Sequence, residues 1–192
     1  MHLILTGATG TVGTPILLRG ADGCIWAQGT SQTSVSEKEY IRITHDFPVA
    51  AAKAFAALSD TGKFNFVHVS GKGAESNISL YGRTKALTET ALLELPNIPT
   101  YSTLRVFNVR PAYVDAPEYQ PRPGIGRRVV YYGLAPILRK LTPGLVTPTD
   151  VLSKVCVDLA TGDGTPKPKE SADVLADGRT LLPAAIRRFG RV

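Results

Sequence analysis

Short unbroken apolar runs alternate along this chain with longer stretches whose apolar residues recur at helical spacing. The short runs read as buried strands. They fall at 2–6, at 24–29 ending in a glycine bend, at 64–69 ending at Ser70-Gly71, and at 102–109 stopped by Arg110-Pro111. The longer stretches read as helices. One starts near Thr11 and is ended at once by a turn at Arg19-Gly20-Ala21-Asp22-Gly23. Another covers most of 37–58, with Pro48 opening its alanine-rich second part, 49–58. Further helices are predicted over 79–95, closed by Pro96, and over 127–141, 151–160 and 184–189. The stretch containing Pro111, Pro117, Pro121 and Pro123 is predicted to be loop, and 167–170 an exposed turn.

Strands separated by helices predict an α/β domain with a parallel sheet. The chain shows no internal repeat, and 192 residues suit one domain with a real core. We expect residues 1–192 to form that domain, with 112–148 and 161–192 as a small substrate-side and C-terminal portion. The first run, Leu3-Ile4-Leu5, does not alternate, a pattern that belongs in a parallel sheet covered on both sides.

Candidate chemistry begins directly after that run. Gly7, Gly10 and Gly13 follow at a Gly-x-x-Gly-x-x-Gly spacing. Gly7 would allow the tight turn, Gly10 would let backbone approach a pyrophosphate, and Gly13 would seat the helix against its strand. The amides at Thr11 and Val12, where the helix starts, would face the phosphates, since unpaired N–H groups and the macrodipole there favour negative charge. A second constellation is Ser70, Tyr81 and Lys85. Tyr81 and Lys85 stand four apart on one helical face. A neighbouring ammonium would lower the phenol's pKa toward neutrality and make Tyr81 a usable acid–base group. Ser70, at a strand's carboxyl end, is placed to hydrogen-bond a substrate oxygen.

With these pieces in order, the chain resembles the short-chain dehydrogenase/reductase superfamily, in its extended and atypical, epimerase-like branch. The resemblance rests on Thr6 to Gly13, Phe66 to Ser70, Tyr81 with Lys85, and Arg105 to Pro111, and spans roughly residues 2–160. The run including Trp26-Ala27-Gln28-Gly29 and Tyr40-Ile41-Arg42-Ile43 is also similar to fungal epimerase-like proteins. The resemblance implies a Rossmann-like parallel sheet with flanking helices, an NAD(P) cofactor and a small carbonyl or alcohol substrate. It implies that Tyr81 is the acid–base residue and Ser70 its substrate-orienting partner. Lys85 would tune Tyr81 and touch the nicotinamide ribose, and the Pro111 loop would lie beside the nicotinamide.

The chain departs from that family between Gly7 and Gly29, where there is room for only one strand–helix–strand passage. A dinucleotide fold offers a ribose-binding carboxylate about 20 residues after its glycines. From Cys24 to Ser36 there is no acid; Asp22 comes too early and Glu37 too late. The family's second and third strands are therefore expected to be missing. In the usual order 3-2-1-4-5-6 their loss leaves a contiguous 1-4-5-6 sheet, truncated on the strand 2–3 side, with strand 1 as an open edge that invites self-association. NAD(P) should then bind weakly, with NAD versus NADP undecided. The alternative is a catalytically impaired relative that binds nucleotide or regulates, or a truncated gene product.

Composition narrows the remaining classes. Hydrophobic content of 43% and charged content of 20% are those of a globular protein, and no apolar run reaches a membrane span's length. The net charge of +6 favours anionic ligands, but no basic run is long enough to argue for nucleic acid. Two cysteines, Cys24 and Cys156, supply neither a disulfide framework nor a thiolate metal site, and His2, His45 and His68 lie too far apart in sequence to suggest a metal. Strand-forming sequence at His2 leaves no room for a leader, so a cytoplasmic setting is expected. Trp26 is expected in the core, the apolar stretch 129–138 in a substrate-pocket or core helix, and Arg187, Arg188 and Arg191 at a solvated helix end.

Overall fold

A computed structural model describes residues 2–6, 20–58, 60–74, 76, 78–115, 144, 146–169 and 171–191. The glycine turn (Gly7, Gly10, Thr11, Val12, Gly13), the helix expected at 127–141 and the apolar stretch 129–138 lie outside the described residues.

The apolar runs form parallel strands: β1 His2–Thr6, β2 Ala21–Trp26, β3 Phe64–Val69 and β4 Leu104–Val109. Two short strands, β7 Val174–Leu175 and β8 Thr180–Leu181, complete a sheet of order β1-β2-β3-β4-β8-β7, with only the β7–β8 pair antiparallel. A second ladder pairs β5 Tyr113–Asp115 with β6 Val146–Pro148. The helices are α1 Glu37–Ile41, α2 Phe47–Phe55, α3 Leu80–Glu94, α4 Thr149–Thr161 and α5 Pro183–Gly190. This is the expected α/β fold, a mostly parallel sheet flanked by helices.

Strand residues alternate between two cores, which is why the runs are apolar throughout. Cys24, Trp26, Phe64, Phe66, Leu104 and Val106 pack with Ala52, Phe55 and Leu92 of α2 and α3 on one face. Ile25, Val67, Phe107 and Val109 pack with Val155, Leu159, Ala185 and Ile186 of α4 and α5 on the other. Trp26 is buried and stacks on Phe66 with ring centroids 6.2 Å apart, and Cys24 is buried, where desolvation pushes its thiol pKa up.

Several boundaries differ from the sequence expectation. Ala21 and Gly23 belong to β2 rather than a turn, because they pair with His2 and Leu3 of β1. Gly23 is needed there for space, since α4 brings the Ala160 carbonyl where a Cβ would stand. The helical stretch from residue 37 is interrupted by a π-turn at Arg42–Asp46, upstream of Pro48, and α2 ends at Phe55. Part of the expected proline loop is strand, Tyr113–Asp115, because β6 offers it a partner. Arg188 is no solvated helix end: its Nη1 stands 3.2 Å from Asp173 Oδ2 in a partly buried pair.

Candidate active site

The carboxyl ends of β2, β3 and β4 converge on one crevice of about 520 Å³. Open α/β sheets bind ligands in that position. The lining comes from Ala27, Gln28 and Gly29 after β2, and from Val69 to Lys72 at the end of β3. Tyr81 and Lys85 come from α3, and Pro111 to Val114 follow β4. Ser70, Tyr81, Lys85 and Pro111, singled out from sequence, therefore face a common space.

Helix α3 is set in place by its first turn. Ser79 caps it, its Oγ accepting from the Gly82 N–H at 3.0 Å. The Tyr81 N–H, another amide without an intrahelical acceptor, donates to Gln32 Oε1 at 3.0 Å, tying the helix to the loop after β2. Gly82 lets α3 settle on the turn below, where a Cβ would collide with the Ser76 carbonyl. Gly71 does the same for the catalytic candidate: a Cβ there would collide with Tyr81 Oη. The phenol hydroxyl thus rests against the backbone beside Ser70. Ser70 Oγ is buried and has no hydrogen-bond partner among the described residues. Buried hydroxyls are normally paired, so this one keeps hydrogen-bonding capacity that a ligand oxygen could use.

Lys85 is not a surface lysine. It is 9% exposed, and its Nζ lies 6.0 Å from the centroid of the Tyr81 ring. Burial pushes its pKa down, and the Glu89 carboxylate one turn along acts against that shift. Glu89 is buried and takes Arg110 by a fork, with Nη2 at 2.6 Å and Nε at 2.9 and 3.0 Å. Beneath this pair lies His68, buried, with Nδ1 3.1 Å from Asn108 Oδ1. Burial pushes its imidazole down to about 3, the Lys85 ammonium acts the same way, and the Asn108 contact opposes both. Next to Lys85 and the Glu89–Arg110 pair, His68 is therefore held as a neutral ring.

The sequence reading missed Gln28, Gly71, Lys72, Tyr113, Gln32 and the Glu89–Arg110 pair. Glu89 had a signal, standing four residues beyond Lys85 on the same helical face. Gly71 had another, following the serine at a strand end. No group of acidic, histidine and cysteine residues that could hold a metal occurs among the described residues.

No family model matches the chain. Over 124 residues it is 39% identical to botcinic acid biosynthesis cluster B protein 16 of Botryotinia fuckeliana (strain B05.10), covering 58% of this chain and 77% of that protein. Over 197 residues it is 30% identical to leucinostatins biosynthesis cluster protein T of Purpureocillium lilacinum, covering 90% of this chain and 71% of that protein. Among solved structures it superposes on a protein of Burkholderia xenovorans assigned to the short-chain dehydrogenases/reductases. That match has a TM-score of 0.56 and 15% identity and covers 84% of this chain and 62% of the other. It also superposes on the Bordetella bronchiseptica enzyme WbmG in complex with NAD, with a TM-score of 0.51 and 13% identity, covering 77% of this chain and 48% of the other. The chain thus spans between about half and two thirds of the length of these solved chains, and at such identities the likeness is one of fold.

Proposed function

Because the chain belongs to the family of these botcinic acid and leucinostatin cluster proteins and carries the short-chain dehydrogenase/reductase fold, we propose that it is an NAD(P)-dependent oxidoreductase or epimerase-like enzyme acting on a small carbonyl or alcohol. The observation that carries this reading is the strand-end crevice. It gathers Ser70, Tyr81 and Lys85, and the Ser70 hydroxyl in it is buried without a partner among the described residues.

Ser70 Oγ donates to the substrate oxygen and holds it beside Tyr81 Oη. Tyr81 gives a proton to that oxygen in reduction and takes one in oxidation. The Lys85 ammonium close by favours the phenolate that reduction produces and oxidation consumes. The cofactor, when bound, supplies or accepts the hydride. The residues present suit its nicotinamide end: Lys85 would meet the ribose, and Pro111 would flank the ring. Gly7, Gly10, Thr11, Val12 and Gly13 would take the pyrophosphate. The setting of the two relatives in biosynthesis clusters supports a small-molecule substrate.

The adenosine end is depleted, because the segment after β2 carries no acid until Glu37. Losing hydrogen bonds to a ribose costs ~1–3 kcal/mol for each group left unsatisfied, which is one or more decades in affinity. Calorimetry with NADH and NADPH should therefore show weak binding, above the micromolar range. Sub-micromolar binding of either would refute the loss of the second and third strands. Binding without turnover of any carbonyl substrate would favour the second reading, a catalytically impaired nucleotide-binding relative, for which the missing ribose acid speaks.

A further inference from the structure

A second cavity, of about 270 Å³, lies at the other end of β4 from the crevice, beside Leu104, Arg105 and Val106. It lies where the ladder with β8 stops, since β8 pairs only with Asn108 and Val109. The Asn108 and Arg110 amides donate toward β8, to the Arg179 and Leu181 carbonyls at 2.8 and 2.9 Å. Alternate residues of a strand direct their amides to the same edge, so Val106 presents its N–H at this open stretch.

Two arginines, Arg105 and Arg179, line the same cavity. Arg105 Nη1 donates to the Ser102 and Leu104 carbonyls, each at 2.8 Å. Arg179 Nη1 donates to the Gly164 carbonyl at 2.8 Å, and its guanidinium sits 4.8 Å from the Phe107 ring centroid. Gly164 touches both arginines: a Cβ on it would stand 2.7 Å from Arg105 Cγ. Neither cation has a carboxylate in ion-pair reach among the described residues. Burial pushes the Arg179 pKa down, and the Arg105 charge pushes it further. The other walls, Leu93 and Pro96 among them, are mostly apolar. Two like charges lining one cavity, with no carboxylate in ion-pair reach among the described residues, repel each other, and a bound anion relieves both.

We propose that this cavity binds the oxyanion group of a small molecule, a phosphate or a carboxylate, gripped by Arg105 and Arg179 with the Val106 amide as a further donor. Guanidinium forks match the oxygens of either group, and both side chains are already pinned by carbonyl oxygens or a ring. None of these residues belongs to the proposed active site, so the site stands or falls independently of the enzyme reading.

Calorimetry on the full chain with sodium phosphate and with sodium succinate, each against sodium chloride at matched ionic strength, tests it. The expected result is saturable binding of one or both anions, and the stronger names the ligand class. Arg105→Gln and Arg179→Gln should each weaken it by at least about tenfold, the loss of one charge-assisted hydrogen bond. Tyr81→Phe should leave it unchanged. Circular dichroism checks that each variant folds. Should Arg105→Gln fail to fold, Arg105→Lys keeps the charge without the fork and should still lose affinity. Absence of binding beyond the chloride control, or unchanged affinity in the arginine variants, would overturn the proposal.

Discussion

Gly71 and Tyr81 show how much of the site is decided atom by atom. The absent Cβ at Gly71 is what lets the Tyr81 hydroxyl lie against the backbone next to Ser70. Removing only that hydroxyl should leave packing intact. Tyr81→Phe is therefore expected to lower turnover by ~10²–10⁴-fold, with an unchanged melting temperature. Near-normal turnover would move the proton chemistry to another group. His68 carries a stability consequence of its own. Its ordinary pKa of 6.5 falls to about 3 in the folded chain, so between these values the unfolded chain binds the extra proton. Stability should thus be full above about pH 6.5 and decline as the pH falls toward about 3, by on the order of 5 kcal/mol in total. His68→Gln cannot take up that proton. Urea unfolding at pH 7, 5 and 4 should show a flatter dependence for the variant than for the parent chain. Parallel slopes would remove His68 as the cause.

At the scale of elements, α3 is the part that delivers chemistry, and its start is over-determined. Two adjacent orphan amides are satisfied by side chains from different places, Ser79 one turn earlier and Gln32 from the loop after β2. Ser79→Ala should cost about 1 kcal/mol, as N-cap losses do, read as a lower denaturation midpoint with an unchanged slope. No loss of stability would mean that Gln32 alone suffices. The flank of α3 is shaped by the π-turn at Arg42–Asp46. There the buried Thr44 carbonyl accepts from Thr88 Oγ1 at 3.1 Å, and His45 Nδ1 lies 3.3 Å from Thr88 Oγ1. Such turns occur often at functional sites. Neither the π-turn nor the Gln32 contact was legible from sequence. A π-turn has no composition signature in 42–46, and Gln32 stands 49 positions before the amide it caps. Strands β7 and β8 were missed for a related reason: two residues are too few to show a period.

For the whole molecule, the sheet order decides how the chain meets others. Strand β1 pairs with β2 on one side and ends the order β1-β2-β3-β4-β8-β7. Leu3 on it is 36% exposed. An apolar strand at a sheet edge is a template for another chain. Light scattering should show association that grows with concentration, and a charge placed at Leu3, as in Leu3→Lys, should reduce it. A monodisperse monomer at all concentrations would mean that another part of the chain covers β1. No helix among the described residues is long and apolar enough to cross a membrane.

The sequence by itself determined what depends on neighbours along the chain. Unbroken apolar runs marked the strands, those of β2, β3 and β4 buried on both faces, the Tyr81–Lys85 spacing put both groups on one helical face, and the serine after β3 fell at a strand's carboxyl end. Only the tertiary structure decided what depends on distant partners. It moved the turn expected at 19–23 into β2, because β1 stood ready to pair with it. It joined Glu89 to Arg110 and set Arg105 and Arg179 in one cavity with no carboxylate in ion-pair reach among the described residues. It also laid Tyr81 on Gly71. The physical reason is that local periodicity fixes which face a residue occupies, while its charge state, free space and hydrogen-bond partners are set by whatever the folded chain packs against that face.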